Sequence, residues 1–390
     1  MSMKSRIDTI LAEGTAGGAA AGVVAGVTNA DGDVYLGGFG ERVAGAGDAM
    51  TPDTVGWIAS MTKAITGAAA MQLVEQGRLE FDAPASAVIP DLGEVPVLEG
   101  FDDDGTPRTR PARIPITLRH LLTHTSGFVY DIWNEDMVRY QEATETPGII
   151  ECRDACLTTP LTFDPGERWD YGIGIDWAGK MVEAVSGQKL GAYLEDHLLG
   201  PLGMSDTAFR ISDAMRARLA KIHMRGEDGS LAPQMDLEIP QEPEFEMGGG
   251  GLYGTVGDYL SFIRMILNRG RANGERLLAP ETVDMMCRNQ MGDTLVRELK
   301  TAIPPFSNDA EFFPGLPKTW GLTFMINAEE APTGRSAGSL GWAGLANSFF
   351  WIDPAKGIGG AYLTQVLPFI DSGSFPLYLA FEQAVYENLA

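Results

Sequence analysis

The chain has 390 residues, 44% hydrophobic and 21% charged, enough to bury a large core and unlike a disordered, collagenous or coiled-coil composition. Its 53 acidic against 29 basic side chains leave a formal charge of −24, a field that repels phosphate backbones and anionic lipid, so neither nucleic acid nor a membrane is expected as a partner. Three cysteines, Cys152, Cys156 and Cys287, form no C-x-x-C and have no histidine at ligand spacing; they read as free thiols in a reducing, cytoplasmic setting with no metal.

From the N-terminus, residues 4–12 predict a short amphipathic helix closed by Gly14, and Asp8 and Glu13 interrupt the text too early for a signal peptide. Residues 20–28 and 34–40 predict two strands joined by a turn at Asp31-Gly32-Asp33. Helical text runs over 57–76 and stops at Gly77; it overlaps the longest apolar run, 55–74, which Lys63 and many small residues disqualify as a membrane span. Residues 82–115 hold six prolines and the acidic run 102–104, which predicts an irregular excursion. Helices follow over 117–123, 177–185 and 190–199, with a turn at Asp164-Pro165-Gly166.

Gly248 to Gly251 is a four-glycine run whose backbone must come close to something; a helix over 256–268 follows it and ends at Gly270. Strands are predicted over 322–327, 346–352 and 359–365, and a last helix over 377–389. Strands at both chain ends with helices between them predict an α/β (α+β) fold, with one sheet built from both termini. The expected division is a sheet domain of residues 1–82 and 205–390 and a mainly helical domain of 83–204, with the active site in the cleft between them.

Chemistry concentrates at Lys63, the sole formal charge between Asp53 and Glu75, among Trp57, Ile58, Met61, Ile65 and Met71. Desolvation disfavours an ammonium ion there and turns the amine into a usable base. Ser60 stands three residues earlier on the same helical face, so Ser60-Met61-Thr62-Lys63 pairs a hydroxyl with a base that can activate it. A second S-x-x-K, Ser186-Gly187-Gln188-Lys189, lies in polar text where its lysine stays solvated and charged. An α/β-hydrolase triad would want G-x-S-x-G between strand and helix, and 337–341 only approximates it ahead of a strand. His120 and His124 are four apart without the glutamate of H-E-x-x-H, which argues against zinc and for structural roles, with His124 closing the turn at Thr125-Ser126-Gly127.

These residues resemble the serine hydrolases of the class C β-lactamase and penicillin-binding-protein superfamily, and within it the family VIII carboxylesterases. The likeness rests on Ser60 to Lys63, on Leu121 to Gly127, on Asp164-Pro165-Gly166 leading to Tyr171, on Gly248 to Tyr253, and on Gly341-Trp342-Ala343-Gly344. It implies a central, mainly antiparallel sheet flanked by helices, and Tyr171 as the third catalytic group beside Ser60 and Lys63. It further implies an oxyanion hole from the backbone N–H groups of Ser60 and Leu345, the latter on an edge strand, and a substrate pocket containing Trp342, Gly344, Tyr253 and His124. No cofactor is implied.

Where lactamases and peptidases of the superfamily carry x-Asn after the tyrosine and K-T-G on the strand, this chain has Tyr171-Gly172-Ile173 and Trp342-Ala343-Gly344. Loss of the cation and gain of an indole shift the expected substrate to small, uncharged esters of short to medium acyl chain, hydrolysed through an acyl-enzyme on Ser60. An amidase, peptidase or acyltransferase on the same groups, and a non-catalytic penicillin-binding-type sensor, are the alternatives.

Overall fold

The computed structural model describes residues 2–389. Its helices that matter here are α1 (Met3–Ala16), α2 (Thr62–Glu75), α3 (Leu118–Leu122), α4 (Gly174–Ser186), α5 (Val256–Leu267) and α6 (Ser374–Tyr386). A seven-stranded antiparallel sheet contains β1 (Gly22–Asn29), β2 (Asp33–Gly40), β3 (Lys318–Trp320), β4 (Met325–Asn327), β5 (Leu340–Gly344), β6 (Ser348–Asp353) and β7 (Ile358–Leu363). Its order is β3-β4-β5-β6-β7-β1-β2, so both ends of the chain meet in one sheet at the β7–β1 pair, with Ala25 opposite Tyr362.

Side chains alternate across this sheet, and each face has its own cover. Phe349 of β6 stacks on Tyr378 of α6 and Trp351 meets Phe381 edge-on, while Phe350, between them, points the other way and packs on Tyr259 of α5. Every residue of β5, β6 and β7 is buried, which is why β6 reads as a continuous apolar run. The long middle of α2, from Thr62 to Leu73, is likewise buried all round. A helix with no polar face sits inside a protein, and this one carries Lys63 into the interior.

Three expectations are corrected. Residues 82–115 contain a hairpin, Pro96–Phe101 paired with Pro107–Pro111, whose prolines stand at the strand ends, where the missing N–H costs least. Leu345 is not on an edge: it follows β5, which lies between β4 and β6. The helix expected from 177 begins at Gly174, bringing Asp176 into its first turn. All three cysteines are free thiols, and among the described residues no helix is long and apolar enough to cross a membrane.

Candidate active site

The segment leading to Ser60 is held rigidly. Gln365 grips the backbone of Trp57 on both sides, accepting from its N–H at 2.9 Å and donating to its carbonyl at 3.0 Å. The Trp57 indole donates to the Gly250 carbonyl at 2.6 Å. Ala59 then takes a φ of 45°, a left-handed conformation that costs a non-glycine residue about 1–2 kcal/mol. That bend starts the 3₁₀ turn Ala59–Met61, which presents Ser60 at the N-terminal end of α2.

Lys63 and Ser60 meet as the i, i+3 spacing predicts, with Nζ 3.1 Å from Oγ. The amine also donates to the Tyr130 hydroxyl at 2.9 Å and to the Gly249 carbonyl at 2.5 Å. Lys63 has no solvent exposure, and burial lowers its pKa to about 7, partly opposed by the charge of Asp176. The amine is thereby poised to exchange a proton with Ser60 near neutral pH.

Tyr171 also adjoins Ser60. Its hydroxyl accepts from Trp342 Nε1 at 2.9 Å, and its ring packs 4.7 Å from the Lys63 amine. Burial raises its pKa above the ordinary phenol value, and the Ser60 hydroxyl and the Trp342 indole beside it oppose that rise. Two phenols thus flank the Ser60–Lys63 pair. Tyr130 is absent from the sequence reading: it is one of ten tyrosines, and its place three residues after Gly127 gives no chemical signal.

Gly344 ends β5 against the nucleophile segment: a Cβ on it would stand 2.4 Å from the Ile58 carbonyl and 3.3 Å from the Ala59 side chain. Only glycine permits that approach, which brings Leu345 beside Ser60 at the same cavity. Among the described residues, neither the Ser60 nor the Leu345 backbone N–H has an acceptor. Two unengaged amides beside one hydroxyl are the kind of donor pair that an oxyanion hole requires, and the α2 N-terminus adds its partial positive charge.

The cavity over Ser60 is about 30 Å³, room for about one water, and Trp57, Ile132, Trp133, Ile149, Ile150 and Met247 make most of its wall. His124 and Tyr253, expected there, do not line it. His124 ends α3 with φ 57° and is buried against Trp169, Tyr171 and Trp320, 4.7 Å from the Tyr171 ring centre. Burial first, and Lys63 second, hold its pKa well below the usual histidine value, so it is a neutral backing for Tyr171. Tyr253 pairs with Trp57 through the backbone and accepts from the Ile239 N–H at 3.0 Å, away from the cavity. Trp342 also stands behind Tyr171, not in the wall. His120 completes a capping box with Thr117 at the start of α3.

Comparison with known proteins bears on the family and the fold. The family profile described as beta-lactamase matches residues 7–384. Monacolin J acid methylbutanoyltransferase of Aspergillus terreus is 34% identical over 347 residues, covering 86% of this chain and 82% of that protein. Lovastatin esterase of Penicillium rubens is 33% identical over 367 residues, covering 89% of each. A mutant of simvastatin synthase from Aspergillus terreus superposes with a TM-score of 0.85 at 32% identity, over 98% of this chain and 94% of that one. The chain belongs to the beta-lactamase-like superfamily of serine hydrolases.

Proposed function

We propose that the protein is a serine carboxylesterase acting on small, uncharged esters through an acyl-enzyme. One observation carries this reading: the Ser60 hydroxyl lies 3.1 Å from a fully buried amine, at the mouth of an apolar cavity. Ser60 Oγ attacks the ester carbonyl carbon while its proton passes to neutral Lys63, and the oxyanion rests on the Ser60 and Leu345 amides. The tetrahedral adduct expels the alkoxide, which takes a proton relayed from Lys63 through Tyr171. Water then attacks the acyl-enzyme by the same route in reverse and releases the acid. Among the described residues no lysine or arginine lines the cavity to receive a substrate carboxylate, which supports an uncharged acyl group.

Transfer of the acyl group to an alcohol acceptor is the second reading. The likeness to a methylbutanoyltransferase, comparable in extent to that with an esterase, favours it. Ser60→Ala and Lys63→Arg should each remove nearly all p-nitrophenyl acetate turnover while circular dichroism stays unchanged; wild-type turnover in either overturns the assignment. Product analysis with graded alcohol acceptors separates hydrolysis from transfer, and a lasting adduct by intact-mass spectrometry would indicate the sensor.

A further inference from the structure

Asp176 has no part in the mechanism above, yet it is buried to 1% exposure in the first turn of α4, five residues after Tyr171. One carboxylate oxygen, Oδ1, accepts from the Gly249 N–H at 2.8 Å. The other, Oδ2, has no hydrogen-bond partner among the described residues. A Cβ on Gly249 would come within 2.4 Å of Oδ2, so the glycine lets the carboxylate lie against the backbone. The same residue, Gly249, presents its carbonyl to the Lys63 amine at 2.5 Å. Asp176 and Lys63 therefore clasp one glycine from its two ends.

A buried carboxylate with an unused oxygen is costly unless an opposite charge compensates it. The groups facing this pair are few. Tyr130, Tyr171 and Cys152 are the titratable neighbours of Asp176, and Ser60, Tyr130, Tyr171 and His124 surround Lys63. Each of these is neutral at pH 7, since burial raises the phenols and the thiol and lowers the imidazole. Burial pushes the Asp176 carboxyl up to about 6, opposed first by the charge of Lys63 and then by the Gly249 N–H, which leaves Lys63 as its counter-charge.

We propose that Asp176 is a positioning residue for Lys63: it orients Gly249 to receive the amine, and its buried negative charge sets the pH below which the amine is protonated and cannot accept the Ser60 proton. The inference rests on Ser60 and Lys63 acting as the nucleophile and base.

Asp176→Asn retains an oxygen for the Gly249 N–H and removes the charge, so the amine should release its proton at lower pH. The acid limb of kcat/KM for p-nitrophenyl acetate should move down by about one pH unit, giving about tenfold more of the plateau activity at pH values below the wild-type limb. Structural damage alone would lower the whole profile without moving its limb. An unmoved limb in a folded, active variant overturns the proposal, whereas absence of Ser60-dependent turnover in the wild type overturns the functional reading instead. Should the variant not fold, NMR of wild-type protein labelled at lysine Cε and aspartate Cγ gives the answer. Linked titration of Lys63 and Asp176 supports the proposal, and independent titration refutes it.

Discussion

The Trp342 indole N–H donates to the Tyr171 hydroxyl at 2.9 Å, and the two rings lie 4.9 Å apart. The bond occupies one lone pair of the phenol oxygen, fixes its direction and favours any negative charge it acquires during proton exchange. Trp342→Phe keeps an aromatic ring and deletes the donor. Loss of one such bond costs about 1–1.5 kcal/mol, so kcat should fall about tenfold with KM little changed. A kcat equal to wild type would show that the indole serves only as packing.

Two phenols adjoin the reacting pair, and their partners differ. Tyr171 is tied to Trp342 and lies beside Ser60, whereas Tyr130 receives a bond from the Lys63 amine at 2.9 Å. A shuttle to the leaving group belongs on the Ser60 side. Tyr171→Phe should lower kcat by about 10²–10⁴, the range of lost general acid–base catalysis, and Tyr130→Phe by less. Burst kinetics with p-nitrophenyl acetate separate acylation from deacylation in each variant; a larger loss in Tyr130→Phe would exchange the two roles.

Ser60 and Lys63 are legible in the sequence because both signals are local: a helical spacing and a charge stranded in apolar text. Asp176 is not, since an acid in the first turn of a helix is ordinary and only the fold brings Gly249 against it. The glycine run announces close approach without naming what approaches. His124 and Tyr253 stand near the right motifs yet behind the wall, because a motif locates a segment and not the direction of each side chain. β5 is hard to read for a related reason: in Leu340–Gly344 two of five residues are glycine, and its place in the sheet comes from the apolar strand β6 beside it.

The pH dependence follows from the burial of Lys63. Its pKa is lowered from the ordinary lysine value to about 7, so the neutral, basic amine is scarce below that pH and predominates above it. The kcat/KM should therefore rise about tenfold per pH unit on the acid side and level off above about 7. Tyr130 and Tyr171 are both raised above the usual phenol value, so neither causes a fall before pH 10. A profile still climbing steeply from pH 8 to 10 would place the amine in a solvated setting and contradict the buried geometry.

Chain-length preference is governed by how little room stands over Ser60. A cavity of about 30 Å³ admits a methyl-sized acyl group only if its walls give slightly, and Trp133 is the bulkiest movable part of that wall. Its indole is anchored by one bond, Nε1 to Ser307 Oγ at 2.9 Å, and by edge contacts with Tyr130, Tyr171 and Phe369. Trp133→Ala opens apolar space in which added methylenes of a longer acyl chain can be buried at about 0.8 kcal/mol each. Loosening of Tyr171 by the same change would slow every substrate alike, so the ratio of kcat/KM for hexanoate to that for acetate is the quantity to measure. Two further buried methylenes raise that ratio by about 1.6 kcal/mol, or more than tenfold. An unchanged ratio would mean that the acyl chain lies elsewhere, against Ile149, Ile150 and Met247, and that Trp133 borders the alcohol side of the ester.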